Sequence, residues 1–416
     1  MKASKQRTPD YVFREKGLRI LPSSVIYGAN ASGKSNIIMS LALMKEIVMQ
    51  GSLEGSSPVL QHLELYPFIH CQEQSPMFFE IEFTNGGSHF LFSFEVMAER
   101  LKKGKRQIIS EQLWIGNNKK RIQIYKRDKD RVIMKRDKKV LSLINYDVKL
   151  LNQFEEKINE NLSPTKLFLS NAFKTVISSE IADKVIDFFS NKLLVVSDFT
   201  LKKMNLSLSG SDIPDKDSLL VNNIVDSFIK CSDFGPQQIL FKPTKTDDEQ
   251  HSAEMQLVSI YESGSRSVIV PAELMESRGT LKLIDFAVPF QDLFSKGGVM
   301  VLDEFDAAIH PELIKGFIVL FNDPYVNAKG AQLIFTSHNP IYLNNKIFRR
   351  DQIKFVEKDK DTYESIIYSL DKFGSTEVRN DENYLLNYFK GNYGALPYVD
   401  FSKFFTMDTG GNNNEL

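Results

Sequence analysis

Cysteine is scarce in this sequence: 416 residues include two, Cys71 and Cys231, too few for a disulfide framework. No CxxC pair and no Cys/His cluster occurs, so a zinc site is not expected either. No run of about eighteen apolar residues exists, so no membrane-spanning helix is expected. The opening "MKASKQRTPDYVF" lacks the apolar segment of a signal peptide, which makes the cytoplasm the expected compartment. Charge of one sign is not in excess. Lys and Arg number 52, Asp and Glu 53, and the net charge is −1, so the molecule as a whole is no obvious binder of nucleic acid. Internal repeats and low-complexity segments are also missing. What remains is 42% hydrophobic and 25% charged, the composition of a soluble globular chain long enough for two or three domains.

The most informative stretch is "IYGANASGKSNII", Ile26 to Ile38. Gly28, Gly33, Lys34 and Ser35 stand at the spacing of a phosphate-binding loop. Glycine lets the backbone fold back without a Cβ in the way, and successive N–H groups then converge on an anion. Lys34 is expected to reach the β- and γ-phosphates and the Ser35 hydroxyl to ligate Mg²⁺. The flanks agree: Val25-Ile26-Tyr27 reads as the end of a buried strand, and "SNIIMSLALMKEIVM" as a helix whose N-terminus faces the phosphates. The alternative is an ordinary Gly-rich turn, which would not need the strand and helix on either side.

Three later stretches extend the pattern. In "GGVMVLDEFDAAIHP", Val299 to Leu302 reads as a parallel strand buried on both faces, ending in Asp303-Glu304. Carboxylates at a strand's C-terminal edge lie where α/β sheets bind ligands. Asp303 is expected to hold Mg²⁺, directly or through water, and Glu304 to polarise the attacking water; the alternative is a surface strand end that happens to be acidic, which the pairing with the phosphate loop disfavours. "QLIFTSHNPIYL" repeats the grammar, with Gln332 to Phe335 as strand and His338 placed to donate to a γ-phosphate oxygen. A lone histidine after a strand is more often structural; its place one strand–helix–strand unit after Asp303-Glu304 favours the functional reading. In "ESRGTLKLIDFAVPF", Ser277 and Gly279 sit at the expected start of a helix, which reads either as a second anion-binding end or as an ordinary N-cap before an amphipathic helix, and the order of motifs along the chain favours the first.

Elsewhere, residues 76–136 alternate polar and apolar positions as an antiparallel meander, with a hairpin turn expected at Asn85-Gly86. From about 140 to 230 the period becomes helical, in "EIADKVIDFFSNKLL" and "SLLVNNIVDSFIKC", with "NLSLSGSDIPDKDS" as a loop. Short strands are expected over 236–270, around a polar, disordered stretch "PTKTDDEQHSAE". Two strands, "QIKFVEKD" and "ESIIYSL", and a Tyr/Phe-rich helix follow.

The order of these motifs resembles the ATP-binding-cassette superfamily: P-loop, an S-x-G signature before an acidic strand, hhhhDE, then T-S-H. The roughly 270 residues between Ser35 and Asp303 resemble the inserts of the chromosome-maintenance, RecF and OLD branches. The wording "YGANASGKSN", "ES-x-GT-x-K", "LDEFDAAIHP" and "TSHNP" is most similar to RecF/OLD-like ABC-class AAA ATPases of bacterial abortive-infection and anti-phage defence systems. The closing stretch "RRDQIKFVEKD" to "YFKGNYGALP" is similar as well. The resemblance implies an α/β fold: an ABC-type P-loop NTPase core, with a mixed or parallel sheet flanked by helices, an antiparallel β subdomain and a helical insertion. Its division would be 1–139 (P-loop half with the meander), 140–235 (helical insertion) and 236–416 (signature, acidic strand, His switch and C-terminal elements). It implies ATP and Mg²⁺ as ligands, with Gly28, Asn30, Gly33, Lys34, Ser35 and Asn36 on the phosphates and Ser35 and Asp303 on the metal. Glu304 would be the general base and His338 a γ-phosphate contact. Ser277 and Gly279 would contact the γ-phosphate held by a partner protomer, and Asp306 would lie near the dimer seam. The family's opening "NFxSF"-like phrase is missing, which puts its first strand in question. The Gln that joins Mg²⁺ and water has only Gln61, Gln72 and Gln74 as candidates, and no Toprim-like acidic cluster follows His338.

A homodimer or higher oligomer that controls a separate nuclease or toxin in phage defence is therefore expected, with no membrane partner. RecF-like DNA repair or DNA-end sensing is the alternative. A transporter subunit is disfavoured by the long insert, and a scaffold without turnover by the intact Glu304. Between Arg100 and Lys139, sixteen Lys/Arg face four Asp/Glu, a local charge of +12. This region, 100–139, reads either as a solvated sheet face or as a docking face for nucleic acid or an acidic protein, with Lys119, Lys120, Arg121, Lys126 and Arg127 in its centre.

Overall fold

A computed structural model describes residues 1, 3, 12–15, 18–54, 68, 70, 75–98, 106–116, 120–197, 207–209, 219–231, 236, 238–247, 252–264, 266–373, 382–397 and 402. Gln61, Gln72, Gln74, Cys71, Lys119 and Arg100 to Lys105 lie outside them. A short antiparallel hairpin, β1 (Phe13–Glu15) and β2 (Leu18–Ile20), precedes β3 (Ser23–Gly28), all six of whose residues are buried. The helix Lys34–Gln50 follows and ends at Gly51, whose φ of 64° closes it in the left-handed conformation.

Next comes the meander: β4 (Met77–Asn85), β5 (Ser88–Met97), β6 (Gln107–Ile115), β7 (Ile122–Asp128) and β8 (Arg131–Met134), a five-stranded antiparallel sheet in sequential order. Its first hairpin is one residue offset from the expected turn. Asn85 pairs with Ser88 as the last strand residue, and the loop is Gly86-Gly87 with φ of 54° and 70°. Both residues need the left-handed region that the tight hairpin turn demands and glycine supplies at least cost.

Helices Lys138–Ile144, Val148–Glu160 and Ser179–Asp187 and a π-helix, Leu169–Ile177, pack on this meander through Leu151, Phe168, Phe173 and Val185. The span read as helical also holds β9 (Leu193–Val196), where "NKLL" was expected to continue a helix. Four apolar residues packed against a core cluster on each face carry no period that separates strand from helix; pairing with the central sheet decides it. Beyond, β10 (Ser207–Ser209) lies inside the expected loop and pairs with the long hairpin β11 (Gln238–Asp247) and β12 (Ser252–Ser263). These two strands run into the polar stretch read as disordered, leaving 248–251 outside the described residues. β13 (Arg266–Pro271) completes this sheet.

The remaining elements build the core: helix Arg278–Lys296, β14 (Val299–Leu302), helix Pro311–Asn322, β15 (Gln332–Thr336), β16 (Ile353–Lys358), β17 (Ser365–Ser369) and helix Tyr384–Phe389. The central sheet has the order β17-β16-β3-β15-β14-β9 and is parallel except for β17. Val25 and Tyr27 of β3 pack in one cluster with Leu283, Phe290, Phe317 and Phe335. Each such side chain contributes about 1.5–3 kcal/mol on burial. Five parallel strands therefore deliver their C-terminal ends to one edge, the place where open α/β sheets bind ligands. No helix among the described residues is long and apolar enough to cross a membrane.

The basic region departs from a single charged face. Arg127 is fully buried, and its guanidinium donates to the carbonyl oxygens of Lys129, Lys166 and Ser163 at 2.7–2.8 Å. A bulge opposite Leu113/Trp114 shifts the pleat, so that Ile124 and Tyr125 are buried in succession and Arg127 follows Tyr125 inward. Arg121 pairs with Glu82 and Arg136 with Glu155, whereas Lys126 is exposed.

Candidate active site

The loop after β3 is shaped by what cannot fit in it. A Cβ on Gly28 would lie 2.5 Å from both the Val356 carbonyl and the Ser32 hydroxyl, and Gly33 has a φ of 104°. Lys34, the first helical residue, folds back over the loop and donates to the carbonyls of Gly28 (2.9 Å) and Ala29 (3.0 Å). Burial lowers its pKa, while Asp303 and Glu304 lie close enough to oppose that shift. The Ser32 hydroxyl is buried and has no hydrogen-bond partner among the described residues. No acidic residue sits in the first turn of the helix, so its positive end is uncompensated. Ser35 is half-buried in that turn, with Asn30 and Asn36 exposed beside it. A closed loop with a buried cation, an orphaned hydroxyl and a free helix terminus fits a polyphosphate.

The acidic edge lies beside it. Leu302 pairs with Phe335, so Asp303 and Thr336 leave neighbouring strands together. The Thr336 hydroxyl donates to Asp303 Oδ1 at 2.5 Å and accepts the Glu304 N–H at 2.7 Å. Glu304 has a φ of 45°, uncommon for a residue with a Cβ. Its carbonyl accepts from Lys282 Nζ at 2.7 Å, which fixes the turn from the other side. The Glu304 carboxylate and the His338 imidazole lie 3.5 Å apart, each about half exposed. Ser337 donates its N–H to Ile26 and its hydroxyl to Asp306 at 2.7 Å, tying the His338 turn to β3 and to the loop after Glu304. Glu304, Asp306, Ala307, His338, Asn339 and Pro340 line an open cleft of about 430 Å³.

Ser277 and Gly279 begin a helix as expected. Ser277 is the N-cap and accepts the Thr280 N–H at 3.1 Å. A Cβ on Gly279 would lie 2.1 Å from the Ala308 carbonyl, so only glycine lets this helix start seat on the loop after the acidic strand. Among the described residues, no hydrogen bond joins Ser277 or Gly279 to the Gly28–Asn36 loop. The structure thus brings together Lys34, Asp303, Glu304 and His338, and seats Gly279 against the Ala308 carbonyl in the loop after the acidic turn.

Thr336, Ser337 and Lys282 carry contacts that the sequence reading did not assign, and the orphaned Ser32 hydroxyl is a further feature it did not single out. Thr336 had a readable signal: it stands directly after the apolar strand, in register with Asp303. The Lys282 contact depends on tertiary packing and had none.

A family model described as "AAA domain, putative AbiEii toxin, Type IV TA system" matches residues 23–344. Among solved structures, the chain is similar to an Smc head bound to the C-terminal winged-helix domain of ScpA, with 14% identity and a TM-score of 0.33, over 86% of this chain and 92% of that one. It is also similar to an Smc head with coiled coil and joint derived from Pyrococcus yayanosii, with 15% identity and a TM-score of 0.25, over 56% of this chain and 43% of that one. No curated protein matches the chain.

Proposed function

The chain belongs to the AAA-domain family described by the AbiEii-toxin model, and from that premise we propose that it hydrolyses ATP in an ATP-sandwich dimer and so controls a toxic or nuclease partner in phage defence. The observation that carries the catalytic part is the Thr336 hydroxyl bridging Asp303 and Glu304 beside the Lys34 loop.

Gly28, Asn30, Gly33, Lys34, Ser35 and Asn36 bind the phosphates, with Lys34 exchanging its carbonyl partners for phosphate oxygens. Ser35 and Asp303 would hold Mg²⁺, which would supply charge neutralisation for the phosphates. Glu304 orients the attacking water and takes its proton, and the bond to the leaving ADP oxygen breaks as the water oxygen bonds to phosphorus. His338 holds Glu304 through their 3.5 Å contact and faces the γ-phosphate. Ser277 and Gly279, which make no hydrogen bond to their own loop, serve the loop of a second copy. Nucleotide binding then favours the closed dimer, because only that state has the second set of contacts.

Cytoplasmic localisation belongs to this reading, as does the division into 1–139, 140–235 and 236–416, with β9 returning from the middle span to the core sheet. RecF-like DNA sensing through residues 100–139 is the weaker reading, since Arg121, Arg127 and Arg136 are engaged inside the protein. The dimer is tested by mixing two inactive variants, Lys34→Ala and Ser277→Arg. The mixture regains activity through one intact composite site per mixed dimer. Normal hydrolysis by Ser277→Arg alone contradicts the arrangement.

A further inference from the structure

The sheet separates the two ends of a bound nucleotide. Asp303, Glu304 and His338 follow β14 and β15, on one side of β3, while β16 and β17 lie on the other. A γ-phosphate directed at the acidic turn leaves the base to run toward β16 and β17. There β16 is parallel to β3 with Val356 opposite Gly28, so its last residue, Lys358, and the hairpin tip 359–364 project past the edge where the phosphate loop begins. The hairpin also touches that loop: a Cβ on Gly33 would lie 2.4 Å from Ser365 Oγ.

The tip is built rigidly. Asp359 Oδ1 accepts the N–H groups of Asp361 (2.9 Å) and Thr362 (2.7 Å), and the Asp359 carbonyl accepts that of Tyr363 at 3.1 Å. Tyr363 is held at a φ of 61°, which a bulky residue adopts only when its surroundings impose it. The residue is 45% exposed. The His70 imidazole stacks on it with centroids 4.3 Å apart and planes 15° apart, and Lys358 Nζ lies 5.4 Å from the ring centre. Tyr363 stands two positions before Ser365, which touches the loop, a span of at most about 7 Å along the chain, the reach of a ribose.

We propose that the Tyr363 ring is the platform on which the base of the bound purine nucleotide stacks, in the place that His70 holds in this structure. The inference rests on the phosphate-loop reading and adds the base subsite to it. A planar heteroaromatic already occupies the face; a purine offers a larger one, tethered by its phosphates. Stacking of this kind tolerates different bases, so the platform favours purines over pyrimidines without separating ATP from GTP.

The test is calorimetric titration of ATP and of inorganic tripolyphosphate, each with Mg²⁺, into wild type, Tyr363→Ala, Tyr363→Phe and Tyr363→Asn. Asparagine tolerates the positive φ and removes the ring without straining the turn. Tyr363→Ala and Tyr363→Asn are expected to weaken ATP about tenfold or more while tripolyphosphate binding is unchanged, and Tyr363→Phe to retain both. ATP affinity unchanged in Tyr363→Ala and Tyr363→Asn, or equal loss of both ligands, overturns the platform and leaves the phosphate site standing. Wild type that binds neither probe overturns the phosphate-loop reading, and the platform with it.

Discussion

Thr336 donates its hydroxyl proton to Asp303 across the gap between two parallel strands, at 2.5 Å, and with the same oxygen holds the Glu304 N–H. One side chain thereby sets the direction of both carboxylates. Replacing it with valine keeps the shape and removes both bonds. Hydrogen bonds to charged groups contribute about 1.5–3 kcal/mol, so Thr336→Val is expected to lower turnover about tenfold or more while ATP affinity stays nearly constant. Steady-state phosphate release beside a binding titration checks it; a parallel loss of affinity would contradict this role.

Lys34 gives the site a pH dependence of defined sign. Burial lowers its pKa below the ordinary 10.5, so it loses its proton earlier on the alkaline limb than a lysine in water. Bound polyphosphate needs the charged form and raises that pKa again. ATP affinity is therefore expected to fall as pH rises through the lowered value toward 10.5, with proton uptake on binding over that window. Folding stability carries the opposite sign there, since the unfolded chain holds more protons and the neutral amine is easier to bury. Binding titrations in two buffers of different ionisation enthalpy measure the uptake; Lys34→Ala should bind weakly at every pH.

Arg127 is a structural residue. Its donors close three carbonyls, and it faces Glu111, which accepts from Tyr125 and the N–H groups of Phe168 and Leu169. Arg127→Ala leaves that buried carboxylate without its cation, at a cost of about 3–5 kcal/mol. Lys126→Glu, on the exposed face beside it, should change stability by about 0.5 kcal/mol or less. Thermal unfolding of the two variants separates them; equal effects would argue for a surface position at 127.

How much of this was legible follows from range. The phosphate loop, the acidic strand and the His338 turn are local patterns, in which a buried strand runs straight into its chemistry, and each lies where its residues indicated. The start of the Ser277 helix was legible for the same reason, since its cap lies within three residues. β9 was not, because "LLVV" reads equally as strand or helix until a neighbour pairs with it. Arg127 was misplaced because a bulge changes the alternation that puts charges on one face. The contact of Ser365 with Gly33 joins segments over 300 residues apart and leaves no mark in either one.

Gly279 tests the signature separately from the phosphate loop. The added Cβ of Gly279→Ala would meet the Ala308 carbonyl at 2.1 Å, so the helix start must move away from the acidic turn. Nucleotide binding by the Lys34 loop should persist, with turnover down about a hundredfold. Equilibrium binding and phosphate release distinguish this from general unfolding, which would remove both.

The central claim is that Glu304 activates water at a site assembled by Lys34, Asp303 and Thr336. Its most direct measurement is phosphate release by Glu304→Gln under ATP concentrations shown to saturate the variant. A base or water-orienting group contributes about 10²–10⁴-fold, so the account predicts release slowed at least about a hundredfold with ATP still bound. Release at the wild-type rate from saturated Glu304→Gln would contradict it.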